Sequence, residues 1–177
     1  MSQPSLIRVS IHTDSGAIEA ELDAARAPIT VANFLAYVDA GFYDGGRFHR
    51  TVKMDNQPNN DIKIEVAQAG INPAHDAEKF SPIPMERTSV TGLRHTDGAI
   101  SMARFAPDSA QSDFFICIGD QPSLDFGGMR NPDGQGFAAF GHVTAGMDVV
   151  RRIQQSPCAA QTLTPPIRIV SIRRQSA

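Results

Sequence analysis

The 177-residue chain is 41% hydrophobic and 20% charged, the balance of a soluble globular protein able to bury a core, and its length fits one domain spanning residues 1–177. A net charge of −3 argues against the basic footprint of a nucleic-acid binder, and no apolar run approaches the ~20 residues that a membrane span needs. The start, MSQPSLIRVS, lacks the apolar stretch of a secretory signal, and Cys117 and Cys158 match no zinc or redox spacing. The expected setting is the reducing cytoplasm; a Cys117–Cys158 disulfide is the alternative.

In chain order, residues 6–13 (LIRVSIHT) alternate with Ile7, Val9 and Ile11 on one face, and residues 17–22 (AIEAEL) alternate through Ile18, Ala20 and Leu22. The turn Asp14-Ser15-Gly16 makes the pair a hairpin. The period then changes to that of a helix carrying Val31, Phe34, Leu35 and Val38, with Thr30 as N-cap and Gly41 as stop. Strands follow at 47–52 (RFHRTV) and 62–69 (IKIEVAQA), the latter with Ile62, Ile64, Val66 and Gln68 on one face. The Asn- and Asp-rich residues 53–61 between them form a loop.

Residues 70–97 read as irregular, punctuated by Pro73, Pro82 and Pro84. Further strands are expected at 99–104, 114–118 and 137–143, with a Gly-rich loop at 126–136, a second helix at 147–154 and a closing strand at 167–173. About eight strands and two helices suit a closed antiparallel barrel, which removes exposed sheet edges, although pattern alone does not separate it from a sandwich.

Metal and acyl-enzyme chemistry find little support. DNQPNND at 55–61 lacks the sixth-position glycine and twelfth-position glutamate of a calcium loop, and FGGMRNPDGQG at 126–136 lacks the Gly-Lys-Ser/Thr of a phosphate loop. The five histidines show no ligand spacing, and there is no Gly-x-Ser-x-Gly elbow. What stands out is Phe48-His49-Arg50, although an arginine in a strand is most often a solvated outward side chain.

FHR at 48–50, VAQAG at 66–70, GAISMAR at 98–104, SDFFICIG at 112–119, LD at 124–125 and FAAFGHVTAGMDVV at 137–150 occur in one order. In that order the chain resembles the cyclophilin-type peptidyl-prolyl cis-trans isomerases, most of all their bacterial branch, from about Ile7 to Ile172. The resemblance implies a closed eight-stranded antiparallel barrel capped by two α-helices, with a groove for extended peptides on its outer face.

It implies that Arg50 is the catalytic arginine and that His49, Gln68 and Asp113 support it. Phe115 would be the floor of a proline pocket walled by Val66 and Leu124, with Phe137 closing it and Ala103 and Phe48 completing the substrate contacts. The implied partners of a monomeric isomerase are proline-containing peptides and unfolded or partly folded proteins, with no nucleic acid, membrane, metal or cofactor.

This sequence departs from the family pattern at the rim. Arg50 and Gln68 are far apart, Glu65 stands where a phenylalanine usual to the family lies, Asp113 replaces a glutamine, and Ser123 replaces an aromatic. Asp113 is expected within reach of Gln68 or Arg50, where its charge would attract basic peptides. These changes support an alternative, a catalytically weak or inactive module that binds proline peptides on the same fold. A scaffold role for loops 53–61 and 126–136 is compatible with either.

Overall fold

The computed structural model describes residues 5–176; residues 1–4, the start of the segment expected to lack a secretory signal, and Ala177 lie outside the described residues. The strands are β1 (Leu6–Thr13), β2 (Gly16–Asp23), β3 (Arg47–Val52), β4 (Val66–Gly70), β5 (Ala99–Met102), β6 (Phe114–Cys117), β7 (Ala139–Ala145), β8 (Cys158–Ala159) and β9 (Thr162–Arg174). Eight of them close a ring in the order β1-β2-β7-β5-β6-β4-β3-β9, and β9 returns to pair with β1. The two-residue β8 pairs only with β9, outside the ring. Every pairing is antiparallel, as the alternation of the segments requires.

Alternation fills the barrel. Val9 and Ile11 of β1, Ile18, Ala20 and Leu22 of β2, and Ile169 and Ile172 of β9 are buried in one core with Phe114 and Ile116 of β6. Helix α1 (Pro28–Asp39) buries Val31, Phe34, Leu35 and Val38 and packs on β2 and β9. The four-residue α2 (Thr88–Thr91) lies in a connecting stretch, and α3 (Met147–Gln154) buries Val149, Val150 and Ile153 against β2, β3 and β4. Among the described residues, no helix is long and apolar enough to cross a membrane.

Four local readings change. Thr30 is not the N-cap; Ala27 occupies that position, with Pro28 opening the helix. Thr30 instead donates its backbone N–H and its hydroxyl to Glu86 Oε1, both at 2.6 Å, so a carboxylate 56 residues away satisfies the orphan N–H of the first turn. The strand expected from residue 62 begins only at Val66. Before it, the Ile64 backbone is held by the buried Gln57 side chain rather than by a neighbouring strand.

The irregular 70–97 stretch contains α2 and a 3₁₀ turn at Pro73–Glu78. The last strand starts five residues early, because its β8 hairpin and the run Thr164-Pro165-Pro166 conceal the alternation.

Two bidentate ion pairs fasten the end of β9 to the end of α1 and the turn after it: Arg174 to Asp39 at 2.6 and 2.9 Å, and Arg173 to Asp44 at 2.7 and 2.8 Å. Hydrogen bonds from these guanidinium groups hold both carboxyls below their ordinary value. A depressed carboxyl contributes stability above its unfolded pKa and loses it as pH falls through the folded one. The expected outcome is therefore an unfolding free energy that declines below about pH 4, with the two exposed pairs supplying at most about 1 kcal/mol each. Urea unfolding across pH should show a shallower acid limb in the Asp39→Asn/Asp44→Asn variant; an unchanged limb would assign the loss to other carboxylates.

Candidate active site

Outward-facing strand residues Val52, Val66, Ala99, Phe115 and Cys117 form a second apolar cluster with Ile64 and Leu124 of the connecting segments, and Ala103 and Phe137 pack against it. It opens as a groove of ≈ 530 Å³ that also holds Arg50, Gln68 and Asp113. Strand register explains this grouping. Arg50 of β3 pairs with Gln68 of β4, Gln68 with Phe115 of β6, and Phe115 with Ser101 of β5. Neighbouring strands lie roughly 4.8 Å apart, so guanidinium, amide and ring stand side by side in one row.

Arg50 joins that row through a β-bulge. β3 advances from Phe48 to Arg50 while β4 advances only from Ala69 to Gln68, leaving His49 as the extra residue. Simple alternation would send Phe48 and Arg50 to one face. The bulge sends Phe48 into the core, fully buried and packed edge-on to Phe114, and turns Arg50 outward. Phe48 is thus a core residue; its expected contact with substrate is corrected.

The Arg50 guanidinium is held on three nitrogens by neutral acceptors. Nη1 donates to Gln68 Oε1 at 2.9 Å, while Nε and Nη2 donate to Gln161 Oε1 at 3.0 and 2.7 Å. Gln161 is fixed in turn by donating Nε2–H to the Asn56 carbonyl at 3.1 Å. Burial depresses the guanidinium pKa, yet arginine stays protonated across the ordinary pH range.

Asp113 reaches Gln68 but is not among the partners of Arg50. It accepts from Gln68 Nε2 at 3.1 Å and lies 2.9 Å from His49 Nε2. A side chain at Gly70 would collide with this carboxylate, which accounts for the glycine.

The apolar floor has its own polar foundation. Phe115 meets Phe137 edge-on (5.7 Å, 86°) and stacks on the buried ring of His95 (6.1 Å, 14°). His95 sits between Asp125 Oδ1 at 2.7 Å and Ser101 Oγ at 2.8 Å. This has the connectivity of a Ser-His-Asp relay, but Ser101 is fully buried beneath the floor, out of reach of any substrate carbonyl. Burial alone would raise the Asp125 carboxyl; hydrogen bonds from the His95 ring and backbone outweigh it and hold that carboxyl low.

Arg104 fixes the rim. Its guanidinium lies 4.8 Å above the Phe137 ring, pairs bidentately with Asp133 and donates to the Gly136 carbonyl. Among the described residues, no cluster of three or more His, Cys, Asp or Glu could hold a metal.

The profile described as "Cyclophilin type peptidyl-prolyl cis-trans isomerase/CLD" matches residues 8–174. The chain belongs to the cyclophilin family. Its relatives include peptidyl-prolyl cis-trans isomerase A of Dickeya dadantii, 38% identical over 148 residues that cover 83% of this chain and 70% of that one. A Streptomyces antibioticus isomerase is 39% identical, covering 82% of both chains. An isomerase of Acinetobacter baylyi is 35% identical over 174 residues, 95% of this chain and 85% of that one. The fold matches the crystal structure of a cyclophilin-type isomerase from Cryptosporidium parvum with a TM-score of 0.77 at 22% identity, covering 97% of this chain and 99% of that chain.

In this cyclophilin the groove gathers Arg50, Val66, Gln68, Ala103, Asp113, Phe115, Leu124 and Phe137, and His49 stands behind Asp113. Glu65 turns away, and its carboxylate lies 3.4 Å from the Gln154 side-chain amide. Ile64 fills the groove in its stead. Sequence reading missed Ile64, His95, Ser101, Arg104, Arg130 and Gln161. Ile64 alone carried a signal, since it shares a face with Val66 and Gln68; the others are brought in by loops and neighbouring strands.

Truncating His95 leaves a buried Ser101 hydroxyl and one Asp125 contact unpaired and removes the ring beneath Phe115. His95→Ala should therefore lower the unfolding free energy by about 2–4 kcal/mol, read from urea midpoints. A loss below about 1 kcal/mol would show that water replaces the ring without penalty.

Proposed function

We propose that the groove accelerates rotation about X–Pro bonds in polypeptides, with Arg50 as the catalytic residue. The carrying observation is the guanidinium held by Gln68 and Gln161, whose acceptors are neutral and leave two of the five donors of arginine unengaged.

A planar peptide bond delocalises the nitrogen lone pair and resists rotation by ~18–20 kcal/mol. At the twisted transition state that pair is localised and accepts a hydrogen bond, so a fixed donor aimed at the nitrogen binds the transition state more strongly than the substrate. A charge-assisted bond of about 1.5–3 kcal/mol corresponds to roughly ten- to a hundredfold in rate, and preorganisation in a partly dry groove adds to it. Phe115, Leu124, Val66 and Phe137 would seat the proline ring, Ala103 would flank the peptide backbone, and Asp113 with His49 would orient Gln68. No nucleophile or general base is needed, which agrees with a Ser101 hydroxyl sealed under the floor.

This reading makes the clients proline-containing, unfolded or partly folded polypeptides. It treats residues 1–177 as one monomeric domain working in the cytoplasm, a setting that the two free thiols support.

Arg50→Ala should lower kcat for a short Ala-Pro peptide at least about tenfold while peptide affinity changes far less, the pattern of an interaction confined to the transition state. Equal turnover of variant and wild type would remove Arg50 from the mechanism. A wild type that binds proline peptides without turning them over would establish the binding module instead.

Gln161→Ala frees two nitrogens of the guanidinium. It should lower kcat by about three- to tenfold, less than loss of the arginine itself, because orientation and not the charge is removed. Isomerisation followed by NMR exchange measures both variants; unchanged kcat in Gln161→Ala would mean that Gln68 alone orients Arg50.

A further inference from the structure

A second guanidinium faces the groove. Arg130, from the Gly-rich loop between β6 and β7, lines the same cavity as Arg50. It is anchored through one nitrogen only: Nη1 donates to Gln57 Oε1 and to the Ile62 carbonyl. Nε and Nη2 make no hydrogen bond, and no carboxylate lies within 4.0 Å of either Arg50 or Arg130 among the described residues.

The carboxylates that could have neutralised them are committed elsewhere. Asp113 is taken by His49 and Gln68, and Asp133, three residues beyond Arg130, is clamped by Arg104. Lys79 at the mouth is paired with Asp76 at 3.9 Å, so the positive charge rests on Arg50 and Arg130. The groove is thus positive in a chain whose net charge is −3.

Both guanidinium groups rest on one short turn, since Gln161, which holds Arg50, is tied to Asn56, and Arg130 is tied to Gln57. Partial burial and the charge of Arg50 together depress the Arg130 guanidinium, a physical sign of two like charges held in poorly solvated surroundings. Such an arrangement is relieved by an anion from outside, and a guanidinium edge with free, coplanar donors matches carboxylate or phosphoryl oxygens.

We propose that the groove selects X–Pro segments bearing an anionic side chain, carboxylate or phosphoryl, beside the proline, with Arg130 as the specificity-determining residue. This rests on the groove being the peptide site, and it names the substrate class of that site. It also reverses the basic preference expected from the Asp113 carboxylate, which is turned to His49 and Gln68 and is outnumbered in the groove by Arg50, Arg104 and Arg130. With a negative net charge there is little long-range attraction of anions, so the preference is confined to groups within about a Debye length, ~8 Å at physiological salt.

The experiment uses the full chain and peptides capped at both ends, identical except for Glu, phosphoserine, Gln or Lys at the position before or after proline. Calorimetry gives Kd and NMR exchange gives kcat/KM. The expected result is that Glu or phosphoserine binds at least about threefold tighter than Gln on one side of proline, that Lys binds weakest, and that the ratio shrinks at high salt. Arg130→Gln should bring the ratio to about one while Arg130→Lys keeps part of it, both variants being checked for a cooperative melt.

Equal affinities of wild type for Glu, phosphoserine and Gln peptides, or a ratio untouched in a folded Arg130→Gln, would overturn the inference. Because affinity is read separately from turnover, binding preference without isomerisation would sink the catalytic reading and leave this one standing. Isomerisation without preference would do the reverse.

Discussion

Because β3 carries one residue more than β4 between its pairings with Ala69 and Gln68, Phe48 and Arg50 leave the sheet on opposite faces. The site depends on this constraint. Phe48 is locked inward by the aromatic core, so Arg50 has only the outer face left to it, and there it meets Gln68 directly across the ladder. Without the bulge, Arg50 and Phe48 would share a face; one of the two would then be misplaced, as a buried charge or as an exposed ring. Core packing thus fixes the aim of the guanidinium.

The polar groups around it divide into two layers with different tasks. Gln68 and Gln161 hold Arg50 with neutral oxygens, which orient the charge without cancelling it. Asp113 stands one step removed and acts on Gln68. Beneath the apolar floor, Asp125, His95 and Ser101 form a hydrogen-bonded chain that ends on the partly exposed Asp125 carboxylate. A hydrogen-bonded chain with His95 and Ser101 buried stiffens what rests on it, here the Phe115 ring.

Much of this was legible because it is written in period-two alternation. Val66 and Gln68 face outward while Ala67 and Ala69 face inward, and Phe115 and Phe114 divide in the same way, so the groove strands and their shared face follow from the residues. The bulge was not legible, since alternation counts residues and cannot reveal that one of them is unpaired; the substrate contact that the resemblance implied for Phe48 is overturned by it. Gln161 and Arg130 were hidden for another reason. They belong to a hairpin turn and a glycine-rich loop, where composition signals irregular backbone and says nothing of which distant strand the loop folds over. Glu65 marked a true departure in sequence, yet the preceding Ile64, pinned by Gln57, restores the apolar wall.

The long β9 seals the ring twice, pairing with β3 through residues up to Arg168 and with β1 from Ile169 onward. On the ribosome this has a temporal meaning. Until residues 162–174 have emerged, β1 and β3 are both open edges, and the row that carries Arg50 lacks its neighbour on one side. The nascent chain must therefore carry two unsatisfied strand borders until β9 is available, a state in which pairing with other chains competes with closure. A barrel closed this way depends on a single strand for both of its seams.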